Sequence, residues 1–503
     1  MAAILENRRT FVVLLGLAVV VKLGIAAWLP LTGDEAYFVF WGRHPDYGYY
    51  DHPPMVGWLL AALLAAGDGV LWLRSPAIAV TLFIGWAVYR LLRDEDPVRA
   101  RLAALLFWFT PVNLVGVLVT TDTPLILWSF LSALCFWRGQ ATARGGWFLA
   151  AGLLLGLAFL SKFFAGLLGL AFAAWLAWHG GGWREGIRRL ALVLAGVLPA
   201  VALNLAWNYF HCWDNYLFNL LNRTRGAGVN PATLAAYGGL LLYLLTPPVI
   251  WSLYRLRGAL RARLRDPAGG VFLGLWGVPA LLFLGLALVK NIGLHWLLSF
   301  YPFFVIGFAQ AAPAAALRRS LAFMLPFGLL HAVLVGGALA VAPEGLKFLG
   351  ESYKSVVIGT RMPQMLARMG APADAVLASD SYALSAQMAY HAGREVPVFG
   401  RGSHHGRQDD IVTDFRRLDG RDFYILAENP TDHNFAWYFD QYTLYRLDVA
   451  GARLYYGVGR GFRFERYRRE VLADVMGRFY AVPPWLPHAP CYMHQRYGRL
   501  PQR

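Results

Sequence analysis

The sequence predicts a mostly α-helical, multi-span membrane protein that ends in a small α/β or α+β domain. Of its 503 residues, 57% are hydrophobic and only 15% are charged, and the mean hydropathy is +0.44. A soluble domain carries about 25% charged residues. Long apolar runs fill the first two thirds of the chain, whereas residues 342–503 are more polar. This pattern excludes a disordered chain, a collagen-like chain and a small disulfide scaffold.

The apolar runs predict about eleven transmembrane helices within residues 1–341. The first run, residues 11–29, lacks a small-residue cleavage site, which favours an uncleaved helix over a signal peptide. Residues 55–66 are too few to span, and we expect an interfacial or re-entrant helix there. The remaining runs are 75–92, 102–118, 124–138, 147–160, 163–178, 190–207, 236–254, 271–289, 297–312 and 321–341.

The pair 147–160 and 163–178 decides the sidedness of everything downstream. Ser161-Lys162 separates the two runs, and a single tilted helix there would reverse the later loops. With two helices and a cytoplasmic N-terminus, cytoplasmic segments carry about three times as many Lys and Arg as the opposite loops, as the positive-inside rule requires. The split is therefore favoured, and residues 342–503 are expected on the non-cytoplasmic side.

The net charge of +16 has the same origin. Residues 1–341 hold 25 Lys and Arg against 13 Asp and Glu, and residues 342–503 hold 21 against 17. Most of the excess is therefore arginine in the predicted cytoplasmic loops. It indicates orientation in a lipid bilayer, with no nucleic-acid partner.

The unusual polar residues gather in the predicted non-cytoplasmic loops. Acids and bases at one membrane face indicate a site that handles both a charged group and a proton. The candidates are Asp34, Glu35, Asp51, His52, Asp122, Lys162, Arg223, Arg225, Lys290 and His295.

The first outer loop, residues 31–54, is the most informative segment. The adjacent acids Asp34 and Glu35 can act as a general base or hold a divalent cation, with Asp122 as a further ligand. Equally, Asp34 can be the N-cap of a helix over Glu35–Gly42, a role compatible with catalysis.

The candidates outside the first outer loop have structural alternatives. Asp122, followed by Pro124, has the pattern of an ordinary helix start. Lys162 either snorkels at a helix end or binds phosphate as a point charge. Lys290 and His295 suit an interfacial cation and an aromatic belt beside Trp296. Arg223 and Arg225 lie in an aromatic loop that covers a cavity or rests on the membrane.

Residues 342–503 contain short β-like runs and two helical patterns. His404-His405 is a weak metal signal; a surface loop or an acceptor-facing loop are the alternatives. Of the three cysteines, Cys212 and Cys491 can pair only if both face an oxidising compartment. The expected strands are 376–378, 396–399, 423–426, 442–447 and 453–458, and the expected helices are 362–369 and 381–391.

Four motifs, in this order, resemble a known family: Gly33-Asp34-Glu35-Ala36-Tyr37, Gly48–Pro54, Thr121-Asp122-Thr123-Pro124 and Leu160-Ser161-Lys162. The resemblance is to bacterial membrane glycosyltransferases of the GT-C fold, related to protein O-mannosyltransferases and to the lipid A aminoarabinose transferase. It covers residues 10–340, and the first-loop pattern is its most specific part.

The resemblance implies an inverting glycosyltransferase of the bacterial inner membrane, with its active site facing the periplasm or cell exterior. Its donor would be a polyprenyl-phosphate sugar, and its acceptor a glycolipid such as lipid A or lipopolysaccharide, a glycan or a protein. By motif match, Asp34 is the catalytic aspartate, Glu35 its partner and Asp122 the second-loop acid, and Lys162 matches an outer-loop lysine. The aminoarabinose branch has a lysine where this chain has His52.

Two other functions remain open at this point. A transporter or flippase of lipid-linked sugars would also show many spans and interior charges, but it should have matched inverted halves. A protein O-glycosyltransferase would differ only in its acceptor. A non-catalytic scaffold would not explain the first-loop motifs.

Overall fold

The computed structural model describes residues 7–221, 228–402, 407–430 and 433–498, which form two compact units. The first, here called the helical unit, comprises Met1–Trp28, Gly69–Leu203 and Gly226–Gly337. The second, called the mixed unit, comprises Leu29–Asp68, Asn204–Arg225 and Ala338–Arg503. The first outer loop thus belongs to the same unit as the polar C-terminal segment.

The helical unit is built almost entirely of apolar α-helices. Its helices are α1 (Arg8–Trp28), α4 (Val70–Leu92), α5 (Pro97–Phe109), α6 (Pro111–Val115), α7 (Asp122–Thr142), α8 (Gly145–Phe159), α9 (Ala165–His179), α10 (Trp183–Phe210, which continues into the mixed unit), α12 (Pro231–Leu245), α13 (Pro247–Arg255), α14 (Arg257–Leu264), α15 (Val271–Leu286), α16 (Tyr301–Ala311) and α17 (Ala314–Ala340).

Four helices of the described chain, α1, α4, α10 and α17, are long and apolar enough to cross a membrane. The pair α12 and α13 makes a fifth candidate that bends by 91°. The bend interrupts the apolar run 236–254 because Pro247 has no N–H to donate to the preceding turn. Runs 147–160 and 163–178 form the separate helices α8 and α9, as predicted.

Two of the buried cations in the helical unit, Lys22 and Arg74, bind backbone carbonyls. Lys22 Nζ donates to the Gly116 carbonyl at 2.7 Å, and Arg74 donates to the Ala26 carbonyl at 2.9 Å. A buried charge needs such partners, because an unpaired one is very costly away from water. Lys22 therefore faces the bundle interior.

The mixed unit combines short helices with one sheet of four strands. Its helices are α2 (Gly33–Arg43), α3 (Met55–Leu64), α11 (Asp214–Tyr216), α18 (Ser352–Met369), α19 (Tyr382–Ala392), α20 (Gln408–Val412), α21 (Phe464–Tyr467), α22 (Ala473–Phe479) and α23 (Tyr492–Tyr497). The strands are β1 (Val376–Ser379), β2 (Phe423–Ala427), β3 (Phe439–Val449) and β4 (Ala452–Phe462).

The strand order is β1-β2-β4-β3, with β1 parallel to β2 and the other pairs antiparallel. The β3–β4 hairpin turns at Ala450-Gly451, where φ is 49° and 79°, the positive values that a tight hairpin turn requires. Four of the five expected strands and both expected helices are confirmed. The fifth, 396–399, is wrong: Val398 makes only an isolated bridge to Ser379, because Pro397 interrupts the run and donates no N–H.

A disulfide between Cys212 and Cys491 joins the 204–225 segment to the C-terminal helix α23. Neighbouring bonds reinforce it: Trp213 donates its indole N–H to the Pro487 carbonyl, and Tyr492 donates to Asp214. The pairing left open by the sequence is therefore present, and Cys135 is the free thiol.

We predict that the double variant Cys212→Ser/Cys491→Ser unfolds at a lower temperature than the wild type, because the disulfide restricts the unfolded chain. A disulfide is typically worth about 2–4 kcal/mol. Thermal unfolding in detergent measures the loss, with Cys135→Ser as the control expected to unfold like the wild type. Denatured, unreduced wild type should expose one thiol; three would contradict the pairing.

Candidate active site

The first-loop acids sit on α2, whose start is fixed by a capping box. Thr32 is the N-cap: its hydroxyl accepts from the Glu35 N–H, and the Glu35 carboxylate accepts from the Thr32 N–H at 3.2 Å. The expectation of an N-cap at Asp34 is wrong by two residues. Threonine followed three positions later by glutamate forms a capping box, in which each side chain accepts a hydrogen bond from the other residue's N–H group. Glu35 is fully buried by this role.

Asp34 is the member of the acid pair that stays exposed. Its carboxyl group is nonetheless crowded by protein, and this partial burial, together with the negative charge of Glu35, raises the pKa of Asp34. A raised pKa makes a carboxylate a better proton acceptor. The capping box thus holds a basic carboxylate at the open end of a fixed helix.

The second half of the loop is held by aromatic stacking and by asparagines of the 204–225 segment. The Trp41 ring stacks on Tyr49 at 4.4 Å, and the His52 ring lies 6.1 Å from Trp41. Asn215 donates to the Tyr49 carbonyl at 2.8 Å. This frame leaves Asp51 and His52 half-buried.

A further asparagine fixes the backbone at the acid itself. Asn219 donates to the Asp51 carbonyl at 3.0 Å. The charge of Asp51 contributes, after burial, to raising the pKa of Tyr37, which lies on α2 one turn beyond Asp34. Asp51 therefore lies within electrostatic reach of the helix that carries Asp34.

Asp122 and Lys162 form a buried ion pair inside the helical unit. Lys162 Nζ lies 2.9 Å and 3.0 Å from the two Asp122 carboxylate oxygens. Asp122 is the first residue of α7, but its carboxylate binds the lysine and makes no N-cap bond. Lys162 follows α8 and lies over the Phe164 ring. The structure thus brings together two residues that the sequence nominated separately.

The remaining candidates lie in other loops. Lys290 is half-buried and His295 exposed, in the segment between α15 and α16. The Leu288 carbonyl accepts from Asn230 N–H at 2.9 Å, which ties this segment to the start of α12. Arg223 and Arg225, and the His404-His405 pair, lie outside the described residues.

Sequence reasoning missed the C-terminal residues that contact the first loop. Gln387 of α19 donates to the Leu31 carbonyl at 3.0 Å. The Gln408 N–H donates to the Tyr37 hydroxyl, and its side chain accepts from the Tyr50 N–H, both at 2.9 Å. These partners lie more than 340 residues apart in the chain, and no local pattern could have linked them.

Within the described ranges, no group of three or more His, Cys, Asp or Glu side chains has the arrangement of a metal site. Two of the three acids nominated as cation ligands have other partners, since Glu35 caps α2 and Asp122 binds Lys162.

Comparison with solved structures shows which fold the chain has. The chain has the fold of ArnT from Cupriavidus metallidurans in the apo state, with a TM-score of 0.63, 15% identity, and coverage of 89% of this chain and 97% of that one. ArnT bound to undecaprenyl phosphate matches at a TM-score of 0.62 and 16% identity, with the same coverage. The predicted GT-C type architecture is confirmed.

Sequence comparison adds two similarities. Residues 51–207 match the family model described as dolichyl-phosphate-mannose-protein mannosyltransferase. The chain is 28% identical to the lipid A galacturonosyltransferase RgtD of Rhizobium johnstonii over 44% of its own length, and it spans about half (49%) of that relative. The resemblance to membrane glycosyltransferases noted in the motifs is confirmed.

We predict that Glu35→Gln keeps α2 capped, since glutamine also serves a capping box, but lowers the pKa of Asp34 by removing a neighbouring charge. If Asp34 is the base of a reaction, the acidic limb of its pH–rate profile should move to lower pH, because a carboxylate with a lower pKa stays ionised to a lower pH. Glu395→Gln removes an exposed carboxylate beside His44 and is the control. An unmoved acidic limb in Glu35→Gln would contradict the coupling.

We predict that Lys162→Ala lowers the unfolding temperature strongly, because it leaves the Asp122 carboxylate buried without its cation. Breaking a buried pair from one side costs about 3–5 kcal/mol. Lys162→Met/Asp122→Asn removes both charges and should recover most of the loss. Thermal unfolding in detergent compares the two, and equal destabilisation by both would show that the pair is not coupled.

Proposed function

We propose that this protein is an inverting membrane glycosyltransferase that moves a sugar from a polyprenyl-phosphate donor to lipid A, lipopolysaccharide or another envelope acceptor. The observation that carries the proposal is Asp34, an exposed carboxylate with a raised pKa held at the start of a capped helix. The fold shared with ArnT and the sequence similarity to a lipid A galacturonosyltransferase support it.

In the proposed reaction, Asp34 accepts the proton of the acceptor hydroxyl as that oxygen attacks the anomeric carbon. The new carbon–oxygen bond forms on the face opposite the phosphate, and the old bond breaks with its electron pair leaving on the polyprenyl phosphate. The configuration inverts because the displacement is a single step. A positioned base contributes roughly 10²–10⁴-fold to such a step. Glu35 supports Asp34 by fixing α2 and by raising its pKa.

We propose that the leaving phosphate is neutralised by cations of the outer loops. An ammonium has three N–H donors, and Asp122 takes two from Lys162, so a third can reach a phosphate oxygen. Charge stabilisation of this kind is typically worth about 3–4 kcal/mol. The other proposed phosphate ligands are His52, Arg223, Arg225, Lys290 and His295.

The proposed donor and acceptor follow the named relatives. The ArnT structure in complex with undecaprenyl phosphate supports a polyprenyl-phosphate donor. The lipid A galacturonosyltransferase supports a lipid A acceptor. The histidine at position 52, where the aminoarabinose branch has a lysine, supports a different sugar from aminoarabinose.

We propose eleven spans in the bacterial inner membrane, with the mixed unit on the periplasmic side. The short apolar helices supplement the long spans in this topology. The Cys212–Cys491 disulfide supports the orientation, because disulfides persist in the periplasm and are rare in the cytoplasm.

We predict that Asp34→Asn abolishes transfer while leaving the protein folded. The folded-state pKa of Asp34 is raised, so its ionised form weakens folding at any pH above the ordinary aspartate value. The variant should therefore unfold at the same or a higher temperature near neutral pH. Release of polyprenyl phosphate and glycosylation of lipid A are the readouts, with purified protein and a polyprenyl-phosphate sugar.

Asp68→Asn is the matched control, since it neutralises an exposed aspartate of the same unit and should retain wild-type transfer. Full activity in Asp34→Asn would overturn the assignment of the base. Donor movement across vesicles by the wild type, without hydrolysis or transfer, would replace the proposed enzyme with a flippase.

A further inference from the structure

Helix α19 of the C-terminal segment packs directly against the start of α2. A Cβ added to Gly33 would lie 2.8 Å from the Ala383 Cβ, closer than side chains approach. The Gln387 amide holds the Leu31 carbonyl two residues earlier. Glycine beside Asp34 therefore permits a contact that places the first turn of α19 next to the carboxylate.

Tyr382 is the first residue of α19 and lies at this contact. Its ring centroid is 4.7 Å from that of Tyr37, which lies on α2 one turn after Asp34, and the side chain is half-buried. Asp34 and Tyr37 are three residues apart on α2 and therefore share a face. Tyr382, which packs on Tyr37, lies on that face.

The Tyr382 hydroxyl shares its surroundings with two carboxylates. Burial raises the pKa of Tyr382 to about 12, and the charges of Asp34 and Asp51 add to the rise. The phenol therefore stays protonated at physiological pH and remains a hydrogen-bond donor. Asp34 itself is open to solvent and Asp51 is half-buried, so a ligand can reach this group.

The chemistry of Tyr382, Asp34 and Asp51 indicates which kind of ligand they would bind. Two carboxylates accept hydrogen bonds and a phenol both donates and accepts. Their negative charge disfavours a phosphate and suits a group rich in hydroxyls. A sugar ring has neighbouring hydroxyls that can donate to the carboxylates while one oxygen accepts from the phenol.

We propose that Tyr382, together with Asp51, forms the subsite that holds the acceptor's sugar against Asp34. The proposal rests on the proposed function. The Tyr382 O–H donates to an acceptor oxygen beside the attacking hydroxyl, and Asp51 accepts from a second hydroxyl. Neither forms or breaks a covalent bond, and the reacting proton passes to Asp34.

The test is Tyr382→Phe, which keeps the ring on Tyr37 and removes only the hydroxyl. A neutral hydrogen bond lost in this way should raise the KM for lipid A by about 3- to 10-fold, with the donor KM unchanged. The control is Tyr390→Phe, which removes a hydroxyl from the same helix, one that donates to the Asp68 carbonyl at 2.8 Å. Both variants should unfold within 2 °C of each other, about the shift of a fraction of a kcal/mol.

The donor in this test is polyprenyl-phosphate galacturonic acid and the acceptor is lipid A. If the wild type transfers the sugar and the two tyrosine variants have the same KM for lipid A, the subsite is overturned and the proposed function stands. A rise in donor KM alone would assign Tyr382 to the donor and likewise overturn the proposal. A wild type that releases no polyprenyl phosphate with lipid A overturns the lipid A transferase on which the subsite rests.

Discussion

The hydrogen bonds between Thr32 and Glu35 are the interaction on which the candidate site depends. They satisfy the N–H groups of Thr32 and Glu35 at the start of α2, and Glu35 is completely buried, so the two adjacent acids acquire different environments. One carboxylate fixes the helix and adds negative charge, while its neighbour Asp34 remains exposed with a raised pKa. Two chemically similar residues thus take two roles, because a capping box needs glutamate at only one position.

Buried charges in the helical unit have partners. Lys22 and Arg74 bind carbonyls, and Lys162 binds Asp122, so three cations among the helices are neutralised or hydrogen-bonded within the helical unit. Among the described residues, no cation forms an ion pair with Asp34, and burial makes its ionised form weaken folding there. A carboxylate with a raised pKa carries that cost, since pairing with a cation would lower the pKa.

The sequence predicted much of the helical unit, because apolar runs and loop arginines report burial and sidedness directly. The division of α8 from α9 followed from the polar pair Ser161-Lys162 and from the distribution of Lys and Arg among the loops. Proline interrupted an apolar run at Pro247, where the missing N–H bends a segment that hydropathy alone predicts as one helix. Asp34 and Glu35 were predictable as a pair, but which of them caps α2 depended on Thr32, one residue outside the motif. Tyr382 was not predictable, since contacts between α2 and α19 join residues far apart in the chain.

The contact between α2 and α19 also explains why the first loop and the C-terminal segment belong to one unit. Glycine at position 33 is needed because of this contact: a Cβ on Gly33 would collide with Ala383, whereas in open space a larger residue would be tolerated. The close approach to Ala383, the Gln387 bond and the Tyr37–Tyr382 ring contact fix the position of α2 from outside the loop. The Asp34 carboxylate is therefore positioned by two sets of contacts: the capping box fixes the start of the helix that carries it, and α19 fixes that helix beside Tyr382. In the proposed reaction, changes in α19 would alter which acceptor hydroxyl meets Asp34 without altering the chemistry of Asp34 itself, so acceptor choice would vary while the proposed base stays the same.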